Sequence, residues 1–543
     1  MKRRQFLVNT AALASAGTVS WGLWQHLHEV VPTIEKPGQR LGHMLRNFSQ
    51  APSPTVVRRV DVLIVGSGAA GLSCAWQLAQ SAPHLKICLL EGPQANGNLA
   101  HGQFPGDSYN VYEPRPYPIA AHYLPLPSME SAHVRKMLYE FGVIRAGHES
   151  IQPEYDERYL VHAPYERLWI NGRWEEGLLP KTGLSKQDQL DIERFFEQIQ
   201  PWKEVKGQDG KRPFTVPRQW ASQDPAWRIL DTYTFKQWLD QQGYKSPALL
   251  WYLDYCCRDD YGAGLDKVSA WAGLHYFCAR NGQAANAEPG STLTWPNGLG
   301  WVAEKLRQAA KLTAENTLAA SAYRIQAQGT GYDVDVLHNA LNETLRIHTP
   351  QLVLACPLFV ARHLLKDNLA FSNDFPFAPR APWLVGNYWL KAPLPEPEHS
   401  VLAWDNVLFQ SPGLGFVNAS HQRLRVVPER HPVLTSYYAL AQYPSPEVAR
   451  QFLEEAPAQT LLDLATQELR SVYGTRFSRS VQAAMLYLHG HAMAIPSPGF
   501  LSQPAPPTQP GLHFAHADLS GYSVFEEASD WGIQAALNVI KQY

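Results

Sequence analysis

Cysteine is scarce in these 543 residues: six stand at 74, 88, 256, 257, 278 and 356. None falls in Cys-x-x-Cys spacing, so neither zinc nor an iron–sulfur cluster is suggested, and there is no disulfide framework. Net charge is scarce as well. Lys and Arg number 47 against 49 Asp and Glu, leaving −2, which argues against a polyanion-binding surface and so against nucleic acid as a partner. No long apolar run follows residue 30, so the body does not read as a membrane-spanning domain. His489-x-His491 lacks a third ligand at useful spacing, and no metal is expected. What remains is a protein of ordinary hydrophobic content, 45%, with the length of two or three domains and a small-molecule substrate as its expected partner.

The chain opens MKRRQFLVNTAALASAG. A basic head, a weakly apolar middle and small residues at Ala14-Ser15-Ala16 describe a secretory signal over 1–30. Arg3-Arg4-Gln5-Phe6-Leu7 resembles the twin-arginine type, which implies recognition by the twin-arginine export machinery and a periplasmic location, with anchoring if the segment stays attached. The competing reading is a basic N-terminus that carries no address. Residues 31–57 read as a Pro-containing linker.

The most specific stretch follows. Arg59-Val60-Asp61-Val62-Leu63-Ile64-Val65 is a β-branched run suited to a buried parallel strand. It feeds Gly66-Ser67-Gly68-Ala69-Ala70-Gly71 and then LSCAWQLAQ, apolar on one helical face. Gly66 permits a tight turn, Gly68 a close approach of pyrophosphate, and Gly71 close helix–strand packing, with free N–H groups at the helix start for the phosphates. A second strand, KICLLEG, ends in Glu91, where an acid accepts hydrogen bonds from an adenosine ribose diol. No arginine follows Glu91 closely in sequence, which disfavours the 2′-phosphate of NADP.

Near the far end, GLHFAHADLSGYSVFEEASDWGIQAALNVI reads as a strand, a polar turn with Asp518, and a long helix with Ser523 as its N-cap and Glu526 completing a capping box. This stretch is similar to the C-terminal FAD motif of the flavin-dependent amine oxidase superfamily, whose relatives include phytoene desaturases and protoporphyrinogen oxidases. The resemblance implies FAD, with Asp518 meeting the ribityl–pyrophosphate region and N–H groups near Val524 and Phe525 facing the flavin pyrimidine. Asn96-Gly97-Asn98 stands where the family has Gly-Gly-Arg, so Asn98 is the partial replacement for a pyrophosphate-binding arginine. Ala120-Ala121-His122-Tyr123 places Ala121 and His122 beside the isoalloxazine. TWPNGLGW, with Gly298 and Gly300, and QLVLACP extend the likeness. In monoamine oxidases a cysteine holds the flavin covalently and two tyrosines cage the amine; these positions fall here at about His491, Ala492 and Val524. The resemblance therefore implies FAD held non-covalently and an altered substrate site.

Candidates for proton transfer beside a flavin are His489 and His491, on one face if MLYLHGHAMA is extended, and His122. Trp404, Asp405 and Asn406 belong to the expected substrate domain. Lys391 invites comparison with the family lysine near flavin N5, although a Lys beside Pro at a strand end more often faces solvent. The expected fold is two-domain α/β (α+β): a three-layer ββα Rossmann-like FAD domain assembled from 58–130, 296–375 and 481–543, and a substrate domain with a largely helical part, 131–295, and a sheet part, 376–480. The function so implied is an exported FAD-dependent oxidoreductase that dehydrogenates a C–N or C–C bond and passes electrons to dioxygen or another acceptor. A desaturase or isomerase of an apolar substrate and a non-catalytic flavin-binding scaffold or maturation factor stand as alternatives. Substrate, acceptor and oligomeric state stay open at this stage.

Overall fold

The computed structural model describes residues 30–46, 48, 54, 56–105, 114–341, 343–366, 375–397, 400–423 and 429–543. The twin-arginine segment expected at 1–30 lies outside them apart from its last residue. Part of the expected linker is ordered structure instead: β1 (Thr33–Glu35) and α1 (Gln39–Arg46).

The cofactor half is built on a five-stranded parallel sheet. At its centre β2 (Val62–Val65) leads into α2 (Ala69–Ser81) and then β3 (Ile87–Leu90). β4 (Thr317–Leu318) adds outside β3, β5 (Gln351–Leu354) adds on the other side of β2, and the strand Leu512–Phe514 completes the sheet beside β5. Three distant chain pieces thus supply one sheet. Alternation along β2 shows how the layers form. Val62 and Ile64 pack with α2, the helix Gly300–Ala309 and α3 (Phe525–Ile540), whereas Leu63 and Val65 pack with the meander strands 320–349 on the opposite face. The result is the expected three-layer ββα arrangement.

The other half is an eight-stranded mixed sheet. Its long strands are β6 (Arg380–Leu390), β7 (Val433–Tyr438) and β8 (Val481–Ala494), with β1 added parallel to β8 at the edge. Along β6, Leu384, Tyr388 and Leu390 face the helices of 446–480, and Ala381, Trp383, Val385 and Trp389 face the helical segment 186–278. Two expectations change here. β8, expected with the C-terminal cofactor piece, pairs with β6 across ten residue pairs and belongs to this sheet. The strands Glu166–Ile170 and Arg173–Glu176, inside the region read as largely helical, extend the sheet's far edge. All six cysteines are free and buried.

Candidate functional site

Elementary sterics fix the turn after β2. Gly66 has φ +113°, and a Cβ there would lie 2.3 Å from the Ala355 carbonyl oxygen. A Cβ on Gly71 would sit 1.9 Å from the Gly66 carbonyl oxygen. Gly68 differs: nothing lies within 4 Å of its would-be Cβ, and it begins α2 with no side chain capping the helix. The first-turn N–H groups, at Ala69, Ala70 and Gly71, therefore lie beside an open face, as an anion site requires. Ser67 fastens the neighbouring loop by donating to the Glu91 carbonyl (3.2 Å) and accepting from the Asn96 N–H (3.0 Å).

Glu91 stands at the end of β3, and its carboxylate accepts from Arg307 Nη2 at 2.9 Å. Arg307 Nε also donates to Asn96 Oδ1 at 2.8 Å. The sequence contains no arginine near Glu91, yet folding brings one from 216 residues away. Because Glu91 and Asn96 occupy it, Arg307 braces the acid.

The C-terminal motif lies against this turn. A Cβ on Gly532 of α3 would fall 2.1 Å from the Ala70 carbonyl oxygen, so the two helices touch backbone to backbone, and Ser73 and Ser529 share a hydroxyl hydrogen bond of 2.9 Å. Asp518 is held by protein groups on both carboxylate oxygens. One oxygen is ion-paired with Arg380, and the other accepts from the Leu358 N–H at 3.0 Å. Burial would raise its pKa, but Arg380, His516 and the Leu358 N–H hold it well below the carboxylate range. Asp518 thus organises protein groups around the start of the C-terminal motif. Arg380 also donates to the carbonyls of His491 (3.0 Å) and Ala492 (3.3 Å). Asn98 is exposed, and its amide donates to the same Ala492 carbonyl at 3.0 Å.

Val524 begins α3 with no side-chain cap, and Phe525 is buried as its first residue. The expected capping box is absent because Ser523 Oγ accepts from the Ala494 N–H at 3.0 Å and is turned to the sheet. Glu526 and Glu527 are both buried in the first turn. Burial raises the Glu526 pKa to about 7. Glu527 accepts from the Tyr522 hydroxyl and the Arg218 N–H, both at 2.6 Å. Ala121 is fixed from two sides: its N–H donates to the Asn98 carbonyl (3.1 Å) and its carbonyl accepts from the Leu299 N–H (3.1 Å). Gly298, φ +56°, packs so closely that a Cβ would come within 2.5 Å of that carbonyl.

Between the two halves, His122, Tyr123, Asp259, Arg280, Asp405 and His489 are enclosed by protein yet keep accessible surface, so they face interior space. The His122 ring stacks on Tyr437 (centroids 4.4 Å, 22°), with Tyr123 at 4.9 Å and Trp404 at 5.8 Å. The Tyr123 hydroxyl donates to Asp259 Oδ2 at 3.3 Å. The Tyr437 hydroxyl and Trp383 Nε1 are buried without a partner. Asp259 is carried by the helix Pro247–Tyr261, started by the Ser246 cap and stopped by Gly262 in the left-handed conformation. Arg280 is ion-paired with Asp260, which leaves Asp259 and Asp405 as surplus negative groups. Burial first, then the Asp260 charge, raises the Asp259 pKa to about 6, opposed by Arg280. Burial with the charges of Asp259 and Glu166 pushes Asp405 well above its ordinary value.

The three candidate histidines separate. Burial lowers His122 to about 3, so it is neutral and a poor base. His489 points inward, with Nε2 2.7 Å from the Ile119 carbonyl, and burial lowers its pKa. His491 is exposed and its ring lies against Phe359 at 5.0 Å. The expectation of a shared face fails because β8 bulges here: β6 advances from Ala381 to Trp383 while β8 runs from Met493 back to His489. Lys391 is exposed, with Nζ 3.4 Å from the Arg479 carbonyl, outside the interior space. Of the Trp404-Asp405-Asn406 candidates, the first two line or adjoin that space, and Asn406 is buried in a network with Arg167 and backbone carbonyls. Asp259, Tyr437 and Trp383 carried no sequence signal, being an acid in an ordinary helix and aromatics in ordinary strands.

The donor set fits a dinucleotide at the glycine turn: an open Gly68 face, an uncapped helix start and an acid at the next strand end. Residues 64–141 match the family model described as NAD(P)-binding Rossmann-like domain. A stretch of 40 residues is 57% identical to the chloroplastic thiamine thiazole synthase of Chlamydomonas reinhardtii, covering 7% of this chain and only 11% of that protein. Solved structures align over far more of the chain. A putrescine oxidase bound to putrescine is 15% identical with a TM-score of 0.59, over 89% of this chain and 100% of its own. The cyclohexylamine oxidase of Brevibacterium oxydans IH-35A is 13% identical with a TM-score of 0.57, over 89% and 99%. At such identities the likeness is one of fold, and the chain shares the two-domain α/β architecture of these amine oxidases.

Proposed function

We propose that this protein is an exported FAD-dependent oxidoreductase that dehydrogenates the C–N bond of a small cationic amine. The observation that carries the amine reading is the pair of surplus carboxylates, Asp259 and Asp405, in an aromatic interior between the halves. Enclosed carboxyl groups in excess of the protein cations beside them have a standing cost, and an ammonium group relieves it. The walls made by His122, Tyr123, Trp404 and Tyr437 exclude water and present ring faces to a cation. An apolar desaturase substrate offers this interior nothing in return.

FAD, when bound, supplies the two-electron acceptor. Glu91 would hold its adenosine ribose, the N–H groups of Ala69, Ala70 and Gly71 its pyrophosphate, and Ala121 with the N–H groups at Val524 and Phe525 its ring end. Non-covalent attachment is supported by histidine, not cysteine, at 491. An amine must lose its ammonium proton before hydride departs from the adjacent carbon. Asp259, lifted to about 6 by burial, is suited to receive that proton at Oδ1, since Oδ2 already accepts from Tyr123. Asp405, beside it, would orient the substrate by accepting a hydrogen bond from the amine nitrogen. His122 contributes a neutral ring face.

The test is anaerobic. Purified holoprotein is mixed in turn with mono-, di- and polyamines, amino acids and apolar alkenes while the flavin absorbance is followed. Bleaching by amines, shifted to higher amine concentration by Asp405→Asn, is the expected result. Bleaching by alkenes alone would place the protein with the desaturases, and a flavin that no substrate reduces would make it a scaffold.

A further inference from the structure

We infer that residues 33–46, with Phe48, form a latch that closes the seam over the dinucleotide crevice and retains the cofactor once it is loaded; this rests on the FAD reading above. The strap is anchored at both ends, in different halves of the molecule. At its start, Thr33, Ile34 and Glu35 pair in register with Met485, Leu486 and Tyr487 of β8, Ile34 packs into the substrate-half core, and Gln39 Nε2 donates to Glu454 Oε1 at 3.1 Å. At its end, Leu45 is buried with Tyr323 and Leu337 of the cofactor-half meander, and Phe48 meets the Tyr323 ring edge-on at 5.3 Å.

The middle of the strap crosses the cofactor-bearing loop. Gly38, φ +69°, turns the chain so closely over that loop that a Cβ would lie 3.3 Å from Pro93 Cβ and 3.5 Å from Gln94 Cβ. Pro93 and Gln94 sit between Glu91 and Asn98, the residues read as holding the adenosine ribose and neighbouring the pyrophosphate. His43 of α1 comes near enough to His491 to help lower its pKa. The strap therefore spans the boundary between loop 91–98 and β8 that the Asn98–Ala492 hydrogen bond also crosses. A dinucleotide lying along that boundary is enclosed when β1 is docked and freed when β1 peels from the sheet edge. Only three residue pairs hold β1, so it is the weakly held end and the natural point of opening.

A paired-cysteine variant tests this. Gly38→Cys with Gln94→Cys places two Cβ atoms about 3.5 Å apart, the separation a disulfide uses, and the six native cysteines are buried and out of competition. FAD release from the holoprotein is followed by flavin fluorescence after dilution, in the oxidised and then the reduced form. The expected result is release at least tenfold slower when oxidised, and at least tenfold faster than wild type in Ile34→Asp with unchanged circular dichroism. Equal release rates in the oxidised and reduced forms of the paired variant would overturn the latch while leaving the FAD reading intact. A wild-type preparation that takes up no FAD would remove that reading and the latch with it.

Discussion

Arg380 and Asp518 form a buried ion pair that joins four separate stretches of chain. Arg380 comes from the first residue of β6, Asp518 from the turn before α3, and their remaining bonds run to the Leu358 N–H and to the carbonyls of His491 and Ala492. Through Ala492 the network reaches Asn98, beside the glycine turn. The two halves are thus locked by charge at the place where the cofactor pieces converge.

Removing either partner leaves a buried charge uncompensated. Arg380→Ala and Asp518→Asn should each lower stability by about 3–5 kcal/mol, and the double variant should cost far less than the sum. Urea unfolding measures all three. The pH dependence follows from the depressed carboxyl. A group held below its unfolded pKa of about 3.9 contributes stability at higher pH and loses it as pH falls below that value. Wild type should therefore weaken in acid where Asp518→Asn does not. Parallel acid limbs would refute the pairing.

The three glycines of the turn should separate structure from binding. Gly66→Ala places a Cβ 2.3 Å from a carbonyl oxygen at φ +113° and should destabilise the fold by at least about 2 kcal/mol. Gly68 has ordinary backbone angles, φ −71° and ψ −171°, and open space. Gly68→Ala should melt within about 2 °C of wild type but purify with little flavin, since the methyl group fills the face offered to pyrophosphate. Melting and flavin content measured on one preparation decide it.

How much of this could be read from sequence differs by residue. The parallel strand, the glycine turn and Glu91 were legible because their signals are local: a β-branched run, fixed glycine spacing, an acid at the next strand end. The ordered strap at 33–46 was not, since three residues at a sheet edge have no periodicity of their own and depend on β8 for their partner. Arg307 was invisible for the same reason, reaching Glu91 only through the fold. His489 and His491 do not share a face, because alternation assumes a regular strand and a bulge in β8 breaks it. Asp259 sits in an unremarkable helix, and only packing reveals that its neighbours supply too little positive charge.

The divergence of those histidines has its own consequence. His491→Ala should leave the rate of flavin reduction within about twofold, because the ring is exposed on the far side of the bulge. His489→Ala removes the contact to the Ile119 carbonyl, leaving a buried acceptor unpaired at a cost of about 1–3 kcal/mol. Stopped-flow reduction and thermal melting should thus rank the two variants oppositely to a shared catalytic role.

Asp259 provides the sharpest test of the proposed function, because stability and binding should move in opposite directions. Its carboxyl is raised from 3.8 to about 6, so the folded protein holds a proton there more tightly than the unfolded chain. The stability it contributes is present at low pH and is lost as pH rises from about 4 through about 6. At neutral pH the ionised group is a burden, and Asp259→Asn should stabilise the protein by on the order of 2 kcal/mol, a gain that vanishes below about pH 4. A residue kept only for the fold would not behave so. The same substitution should raise the amine KM by tenfold or more and remove the limb near pH 6 from the profile of flavin reduction, while Asp405→Asn raises KM and leaves that limb in place. If Asp259→Asn destabilises at neutral pH, or leaves amine binding untouched, the interior carboxylates are structural and the amine reading loses its support.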